Sequence, residues 1–348
     1  MTICFFGIYD PEYSRNSILM KGLRQNGLEV IECNATQGKV KKYFSLVAKH
    51  WKIRKKYDVM VVAFPGYQAI ILAKLFSRKP LILDAFFSIY DSEVLDRKIT
   101  GSKTIAAYYY WFLDWLACSL ADKVTLDTWA HINYFLELFP LKKEKFIRVL
   151  LGADDQIIKP RPAPVRDYYL AHFHGIATPL QGVGYIMEAA RLLNGENIKF
   201  NLVGNKIRRQ AGAPEAGGNI NFIKTLPYRE LIDIMTQADV CLGIFGDSKK
   251  TQVVIPNKVY EALAAGKAVI TADTPAAREL LTDDVDCLFC RAGDARDLAD
   301  KIRQLKNDGD QRHLIAANGY QLFTANLTPK KVTSGLAEFI KKYKSQRP

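Results

Sequence analysis

The sequence predicts an α/β protein built from two doubly wound parallel-sheet domains. The chain of 348 residues is too long for one typical hydrophobic core and suits two domains of ordinary size. Short apolar strands alternate with helical segments in both halves, which favours parallel sheets covered by helices. A stiff, proline-rich stretch at 159–164 separates the halves. We therefore expect domains at 1–158 and 166–328, a linker at 159–165 and a C-terminal helix at 329–348.

The first half opens with a strand, a helix and a second strand. Residues 2–6 form an apolar strand ending at Gly7, and 14–27 a helix with an apolar stripe. This order is typical of a Rossmann-like unit, in which ligands bind beyond the carboxyl ends of the strands. Gly7, Ser14 and Arg15 are therefore predicted to lie at a binding edge. A nicotinamide enzyme would require the glycine pattern G-x-G-x-x-G here, and only one glycine is present.

Two more buried strands are predicted at 58–64 and 80–83, with an apolar helical segment between them. Asp84 ends the second strand and should emerge at the same carboxyl edge. From there its carboxylate could act on an acceptor hydroxyl. A structural aspartate that caps the following loop is the alternative interpretation.

Two segments of the first half raise the question of membrane contact. Residues 39–56 are basic and amphipathic, without an acidic side chain, in a chain of net charge +13. This segment is either a solvated helix packed by one face or a patch for anionic lipid headgroups. Residues 104–121 are aromatic and apolar. Asp114 in their middle argues against a membrane span and favours a buried or interface-lying helix.

Cysteine usage and the chain start indicate the compartment. The 6 cysteines are scattered, mostly in apolar runs, which fits a reducing cytoplasm. Residues 1–7 read as a strand and its turn, so no export signal is expected. Cys287 and Cys290 form a lone C-x-x-C in a predicted buried strand, so zinc or redox use is not expected.

The second half carries the most informative stretch, 255–275, which reads as loop, short helix, strand and loop. Asn257 is predicted to cap the helix and Gly266 to end it. Lys258 and Glu261, three residues apart, share a face near the free N–H groups of the helix start. These groups suit a phosphorylated, hydroxylated ligand. An ordinary exposed Lys–Glu pair worth a few tenths of a kcal/mol is the alternative.

The stretch 255–275 resembles the donor-binding segment of the group 1, or family 4, glycosyltransferases. The segments 121–128, 147–160 and 294–299 also resemble this family, so the likeness covers nearly the whole chain. It implies the GT-B fold: two Rossmann-like domains facing a cleft, with a C-terminal helix that crosses back to the first domain. It also implies a nucleotide-diphosphate sugar donor and retention of the anomeric configuration.

Site residues are expected on this basis. Asp84 and Lys258 are the predicted catalytic residues, and the resemblance implies that Glu261 holds the nucleotide ribose. Gly7, Ser14 and Arg15 would form the acceptor-side loop. The predicted donor-binding residues are Gly175, Gln181, Gly204, Asn205, Lys206, Asn257, Glu261 and Thr274.

Two positions depart from the family pattern. The family has paired glutamates, and Val253 stands eight positions before Glu261 where the first would be. Gln181 replaces a lysine in the loop 173–182, which also lacks the family's arginine. Because the charge of the leaving group must be stabilised, other cations are needed. The candidates are Lys258, Lys206, Arg208 and Arg209.

The expected function is transfer of a sugar to a lipid-linked or glycan acceptor by a cytoplasmic protein peripheral to the inner face of the membrane. Expected partners are the nucleotide sugar, the acceptor and an anionic membrane surface, but no nucleic acid. No cofactor and no metal are expected, and the D-x-D pair Asp284 and Asp286 is interpreted as a surface turn. The alternatives are a catalytically silent protein that binds a nucleotide or a partner, and a nucleotide-sugar epimerase.

Overall fold

The structure is a computed structural model that describes residues 1–36, 38, 40–210 and 218–345. Two compact units divide the chain. The first unit comprises Met1–Leu151 and Thr328–Pro348, and the second comprises Gly152–Leu327. Each unit contains its own six-stranded sheet, and all the strand pairs in both sheets are parallel.

The first unit alternates strands and helices, as the sequence predicts. Its sheet has the order β2-β1-β3-β4-β5-β6. The strands β3 and β4 are buried along their whole length, which a parallel sheet covered on both faces requires. The elements are β1 (Thr2–Gly7), α1 (Ser14–Gln25), β2 (Glu29–Asn34), α2 (Lys41–Ile53), β3 (Val59–Val62), α3 (Ala69–Phe76), β4 (Leu81–Asp84), α4 (Ile105–Leu120), β5 (Lys123–Leu126), α5 (Trp129–Leu138) and β6 (Phe146–Arg148).

The second unit repeats this design with the sheet order β12-β11-β10-β7-β8-β9. The switch in strand order lies between β7 and β10, so the loops after these strands are the expected binding edge. The elements are β7 (Tyr169–His174), α6 (Val183–Leu192), β8 (Ile198–Val203), α7 (Ile207–Gln210), β9 (Ile220–Ile223), α8 (Tyr228–Met235), β10 (Val240–Leu242), α9 (Lys249–Val253), α10 (Asn257–Ala264), β11 (Ala268–Ala272), α11 (Pro275–Arg278), β12 (Leu288–Cys290), α12 (Ala295–Asn307) and α13 (Gly309–Asn326).

The last helix, α14 (Pro329–Ser345), returns to the first unit and packs on α1. Gly22 makes this close approach possible, because a Cβ at this position would lie 2.0 Å from the carbonyl oxygen of Pro329. Asn26 fixes the contact by donating to the carbonyl oxygen of Lys330 and to Thr333 Oγ1. The return of the C-terminal helix to the first domain was predicted and is confirmed.

The unit boundary lies earlier in the chain than the predicted boundary at 158/159. The proline-rich segment belongs to the second unit because it packs there. Lys267 Nζ donates to the carbonyl oxygen of Arg161, and Arg161 forms an ion pair with Asp233. Pro160 lies against Gly266.

The two segments considered for membrane contact are amphipathic helices. In α2, Leu46 and His50 are buried, whereas Phe44 is 73% exposed. Lys39, at the start of the basic segment, lies outside the described residues. In α4, Leu113 and Asp114 are buried, whereas aromatic side chains on the other face are exposed. Among the described residues, no helix has the length and apolar character needed to cross a membrane.

Candidate functional site

The helix α10 is the centre of the candidate site. Val259 and Leu263 are fully buried and anchor one face. The helix ends in a Schellman motif: Gly266, at φ 61°, donates to Leu263, and Lys267 donates to Ala262. The stop at Gly266 was predicted correctly.

The predicted cap at Asn257 is wrong. The N-cap residue is Pro256, with extended backbone angles, and no side chain caps the helix. Asn257 lies one position later, inside the first turn, where its side chain no longer reaches the free N–H groups. Its Oδ1 is buried and has no hydrogen-bond partner among the described residues.

Lys258 is buried beneath the loop that follows β7. Its Nζ donates to Gln181 Oε1 and lies 3.9 Å from the centre of the Phe173 ring. A Cβ on Gly175 would be 3.0 Å from this nitrogen, so the glycine leaves room for the amine. Burial lowers the pKa of Lys258 to about 7, although nearby Glu261 favours the charged form.

The carboxylate of Glu261 is also buried and is held by two side chains. His174 Nε2 lies 2.9 Å from Oε2, and the Tyr228 hydroxyl donates to Oε1 at 3.0 Å. Burial and the adjacent Glu261 raise the pKa of Tyr228, which keeps the hydroxyl protonated as a donor. Because Lys258 and Glu261 are 6% and 4% exposed, the alternative of an ordinary exposed ion pair is wrong.

The ends of β7 and β8 meet beside these side chains. A Cβ on Gly204 would lie 2.0 Å from the carbonyl oxygen of Gly175, so only glycine permits this approach. Asn205 and Lys206 follow Gly204 and are exposed, as is Arg208. The side chain of Arg209, the remaining candidate cation, lies outside the described residues. Thr274 is buried and accepts from the N–H of Ala277 as the cap of α11.

The predicted site residues of the first unit form a buried ion pair rather than an open site. Arg15 Nη2 lies 2.8 Å from Asp84 Oδ1, and both side chains are completely buried. Thr125 Oγ1 also donates to Asp84 Oδ1, at 2.6 Å. Gly7 ends β1 and is buried, and Ser14 begins α1 and is half-buried. Roles of these residues toward an acceptor remain predictions.

Three residues of the site were missed by the sequence analysis: His172, His174 and Tyr228. The first two alternate along β7, a strand that is otherwise apolar. Histidines spaced by two at the end of a buried parallel strand are an anomaly that could have revealed them. No sequence pattern connects Tyr228 to the site.

The structure places the D-x-D pair in a turn. Asp286 Oδ1 accepts from the N–H of Thr282, and Gln311 Nε2 donates to Asp284 Oδ1. In the described part of the chain, no group of three or more histidines, cysteines or acids is placed to hold a metal ion.

Comparison with known proteins shows a family similarity of the second unit. Residues 154–322 match the family model of glycosyl transferases group 1, which covers most of the second unit. A search of curated proteins gave no match. The second unit is therefore similar to the group 1 glycosyltransferases, as the resemblance predicted.

Solved structures share the fold of the whole chain. Sucrose-phosphate synthase from Thermosynechococcus elongatus has a TM-score of 0.77 at 12% identity, with 100% of both chains covered. HepE from Anabaena in complex with UDP has a TM-score of 0.72 at 15% identity, covering 98% of this chain and 100% of HepE. WaaG, a glycosyltransferase involved in lipopolysaccharide biosynthesis, has a TM-score of 0.67 at 14% identity, covering 97% of this chain and 99% of WaaG. The predicted GT-B fold is confirmed.

Proposed function

We propose that this protein transfers a sugar from a nucleotide-diphosphate sugar, bound by the second unit, to an acceptor at a membrane surface. The observation that carries the proposal is the pair Lys258 and Glu261 on one turn of α10. Both side chains are buried beside the loops that follow β7 and β8. A cation, a carboxylate and a helix N-terminus together match a diphosphate and a ribose.

The leaving diphosphate requires positive charge, and Lys258 supplies it in this proposal. Gln181 replaces a cationic residue of the family pattern, but its amide oxygen holds the Lys258 ammonium at that loop. Within the described residues, Gln181 is the one hydrogen-bond partner of an ammonium with three donors. Two N–H groups of Lys258 thus remain for phosphate oxygens.

Retention of configuration also belongs to the proposal. A departing phosphate oxygen can accept the proton of the attacking acceptor hydroxyl while the sugar–phosphate bond breaks. This route needs no carboxylate nucleophile of the kind used by retaining hydrolases. The HepE structures with UDP and with UDP-glucose support a nucleotide sugar as the donor class.

A membrane-associated acceptor is supported by the surface of the first unit. On α4, Ile105 is 89% exposed and Tyr108 is 65% exposed. The helix α2 exposes Phe44 and Trp51 among its lysines. Exposed aromatic groups interspersed with cations suit the headgroup region of an anionic bilayer.

A nucleotide-sugar screen tests the donor assignment. Thermal stability is measured with UDP-, GDP-, ADP- and dTDP-sugars, and turnover is followed as release of the nucleoside diphosphate. At least one donor should raise the melting temperature and be consumed, and Glu261→Gln should weaken both effects. Failure of all donors to stabilise the wild-type protein would contradict the proposal.

A catalytically silent nucleotide-binding protein is the second candidate. Val253 favours it, because a buried apolar side chain stands where the family pattern has a glutamate. Stabilisation by a donor without release of nucleoside diphosphate, in the presence of lipid extract as acceptor, would support this candidate.

A further inference from the structure

A line of polar side chains leads from the interior of the second unit to the carboxylate of Glu261. His172 Nε2 lies 3.1 Å from His174 Nδ1, and His174 Nε2 lies 2.9 Å from Glu261 Oε2. On the other side, Tyr228 donates to Glu261 Oε1 at 3.0 Å. The contacts join β7, α8 and α10, elements that are distant in sequence.

The chemistry of these groups fixes where the protons lie. An ionised carboxylate only accepts hydrogen bonds, so His174 must carry its proton on Nε2. In neutral His174, Nδ1 is then an acceptor, and His172 donates to it from Nε2. His172 Nδ1 is left as an unprotonated nitrogen, and it has no partner among the described residues. The opposite tautomer would bury an unpaired N–H, which is costlier and rarer.

Burial keeps His172 in this neutral state. The side chain is 1% exposed, and burial lowers its pKa well below the ordinary value, with the nearby Lys258 acting in the same direction. Its strand β7 is paired on both sides, with β8 and β10. His172 is therefore a rigid donor toward His174.

We propose that His174 and Tyr228 are positioning residues that orient the Glu261 carboxylate toward the two vicinal hydroxyls of a ribose, and that His172, by donating to Nδ1 of His174, holds His174 in the tautomer that donates to Glu261. The proposal rests on the proposed function. Because each carboxylate oxygen of Glu261 accepts from one protein donor, rotation of the carboxylate about its Cγ–Cδ bond is restricted. Each oxygen keeps a second lone-pair direction for a ligand hydroxyl, so the ribose would add to the network without displacing it.

The decisive measurement is discrimination between ribose and deoxyribose. Calorimetry compares the nucleoside diphosphate that binds best among UDP, GDP and ADP with its 2′-deoxy counterpart. In the wild-type protein the deoxy form should bind at least about tenfold more weakly. His174→Ala should reduce this ratio to near one, because the carboxylate is no longer oriented. His174→Gln, whose amide can place an N–H near the former Nε2, should restore most of it.

Two further variants test the contribution of Tyr228 and control for the loss of a buried histidine. Tyr228→Phe should lower the ratio without removing the His174 contact. His131→Gln is the matched control, since His131 is a buried histidine 2.6 Å from Asp127 in the first unit. It is expected to lose stability and keep the ribose discrimination.

The outcomes separate the inference from the proposed function. If Glu261→Gln abolishes discrimination but His174→Ala and Tyr228→Phe preserve it, the positioning role is wrong and the ribose site stands. If Glu261→Gln preserves it, or the wild-type protein shows none, the ribose site itself is wrong. Nitrogen-15 histidine spectra give an independent reading: both His172 and His174 should be protonated on Nε2, and a proton on His172 Nδ1 would overturn the tautomer assignment.

Discussion

The ammonium group of Lys258 donates a hydrogen bond to the side-chain oxygen of Gln181, although the two residues are 77 positions apart. The contact brings a cation from α10 to a loop that carries none of its own. Phe173 beneath the amine and Gly175 beside it shield the amine from water. Its charge is therefore sensitive to pH and to any anion that binds there.

We expect the affinity for the nucleoside diphosphate that binds best among UDP, GDP and ADP to fall as the pH rises above about 7. In the free protein burial lowers the pKa of Lys258 to about 7, and a bound diphosphate would raise it. Below this pKa the amine is already charged, so affinity is greatest there. Above it, binding must take up a proton, and the Kd should rise by up to about tenfold per pH unit.

Calorimetry across the pH range checks this expectation, with Lys258→Met as the matched variant. Methionine removes the charge and keeps similar bulk, so the pH dependence above 7 should disappear and the same nucleoside diphosphate should bind more weakly at lower pH. The corresponding nucleoside, which lacks phosphate, should bind both proteins equally. A pH dependence retained in Lys258→Met would assign the titration to another group.

The Arg15–Asp84 pair yields a prediction that separates structure from catalysis. Asp84→Asn leaves the buried guanidinium of Arg15 without its counter-charge. Such a loss costs about 3–5 kcal/mol of the free energy of unfolding. Urea unfolding should show this loss, and the double variant Arg15→Met/Asp84→Met should be much less destabilised than the sum of the single changes. An Asp84→Asn protein of unchanged stability without transferase activity would instead support the catalytic role.

Both sheets and the course of the chain could be predicted from the sequence, because strand–helix alternation and apolar runs are local patterns. The end of α10 at Gly266 could be predicted for the same reason, because a glycine after a helical pattern is a local signal. The predicted cap at Asn257 is wrong because Pro256 holds the extended conformation that a cap residue needs. The helix therefore begins at Asn257, one residue earlier than the capping preference of asparagine indicated.

The contacts of the candidate site could not be predicted. Lys258 and Glu261 were selected correctly as neighbours on one helix, but their partners lie on β7, its following loop and α8. Arg15 and Asp84 were both placed at the edge of the first sheet, yet nothing in the pattern indicated that they neutralise each other. Pairings across 33 or more positions depend on packing, which leaves no periodic signal in one sequence.

Asp114 makes the stability of the first unit depend on pH. Burial raises its pKa to about 7, opposed by hydrogen bonds from Ser88 and the Tyr90 N–H. Since the folded carboxyl holds its proton more tightly than the unfolded one, it contributes stability at low pH that is lost as the pH rises toward 7. Asp114→Asn should therefore raise the melting temperature at pH 8 more than at pH 5. Equal shifts at both values would show that Asp114 does not titrate in this range.

Membrane binding is tested by charge reversal on α2 and the residues that follow it. Replacing Lys41, Lys42, Lys52 and Lys55 by glutamate should abolish sedimentation with anionic vesicles, and added salt should weaken binding of the wild-type protein. The matched control reverses four exposed basic residues of the second unit, Lys199, Lys224, Arg229 and Arg296. The net charge changes equally in both variants, so retained binding in the first or lost binding in the control would contradict a patch on α2.

The sharpest prediction concerns Glu261, whose carboxylate already accepts from His174 and Tyr228 and keeps one lone-pair direction on each oxygen. Hydrogen bonds from two ribose hydroxyls to a charged acceptor contribute about 1.5–3 kcal/mol each before entropy losses. Glu261→Gln keeps the shape and removes the charge, and its amide nitrogen can no longer accept. Affinity for the matching nucleoside diphosphate should fall by at least about tenfold, or about 1.4 kcal/mol.

The stability of the unliganded Glu261→Gln protein completes the test. Because the glutamine oxygen can still accept from His174 or Tyr228, the melting temperature should change little. Calorimetric titration and a thermal scan of the same preparation measure both quantities. Wild-type affinity in the variant would mean that ribose binds elsewhere, whereas collapse of the unliganded fold would assign Glu261 to the core of the second unit and remove it from the donor site.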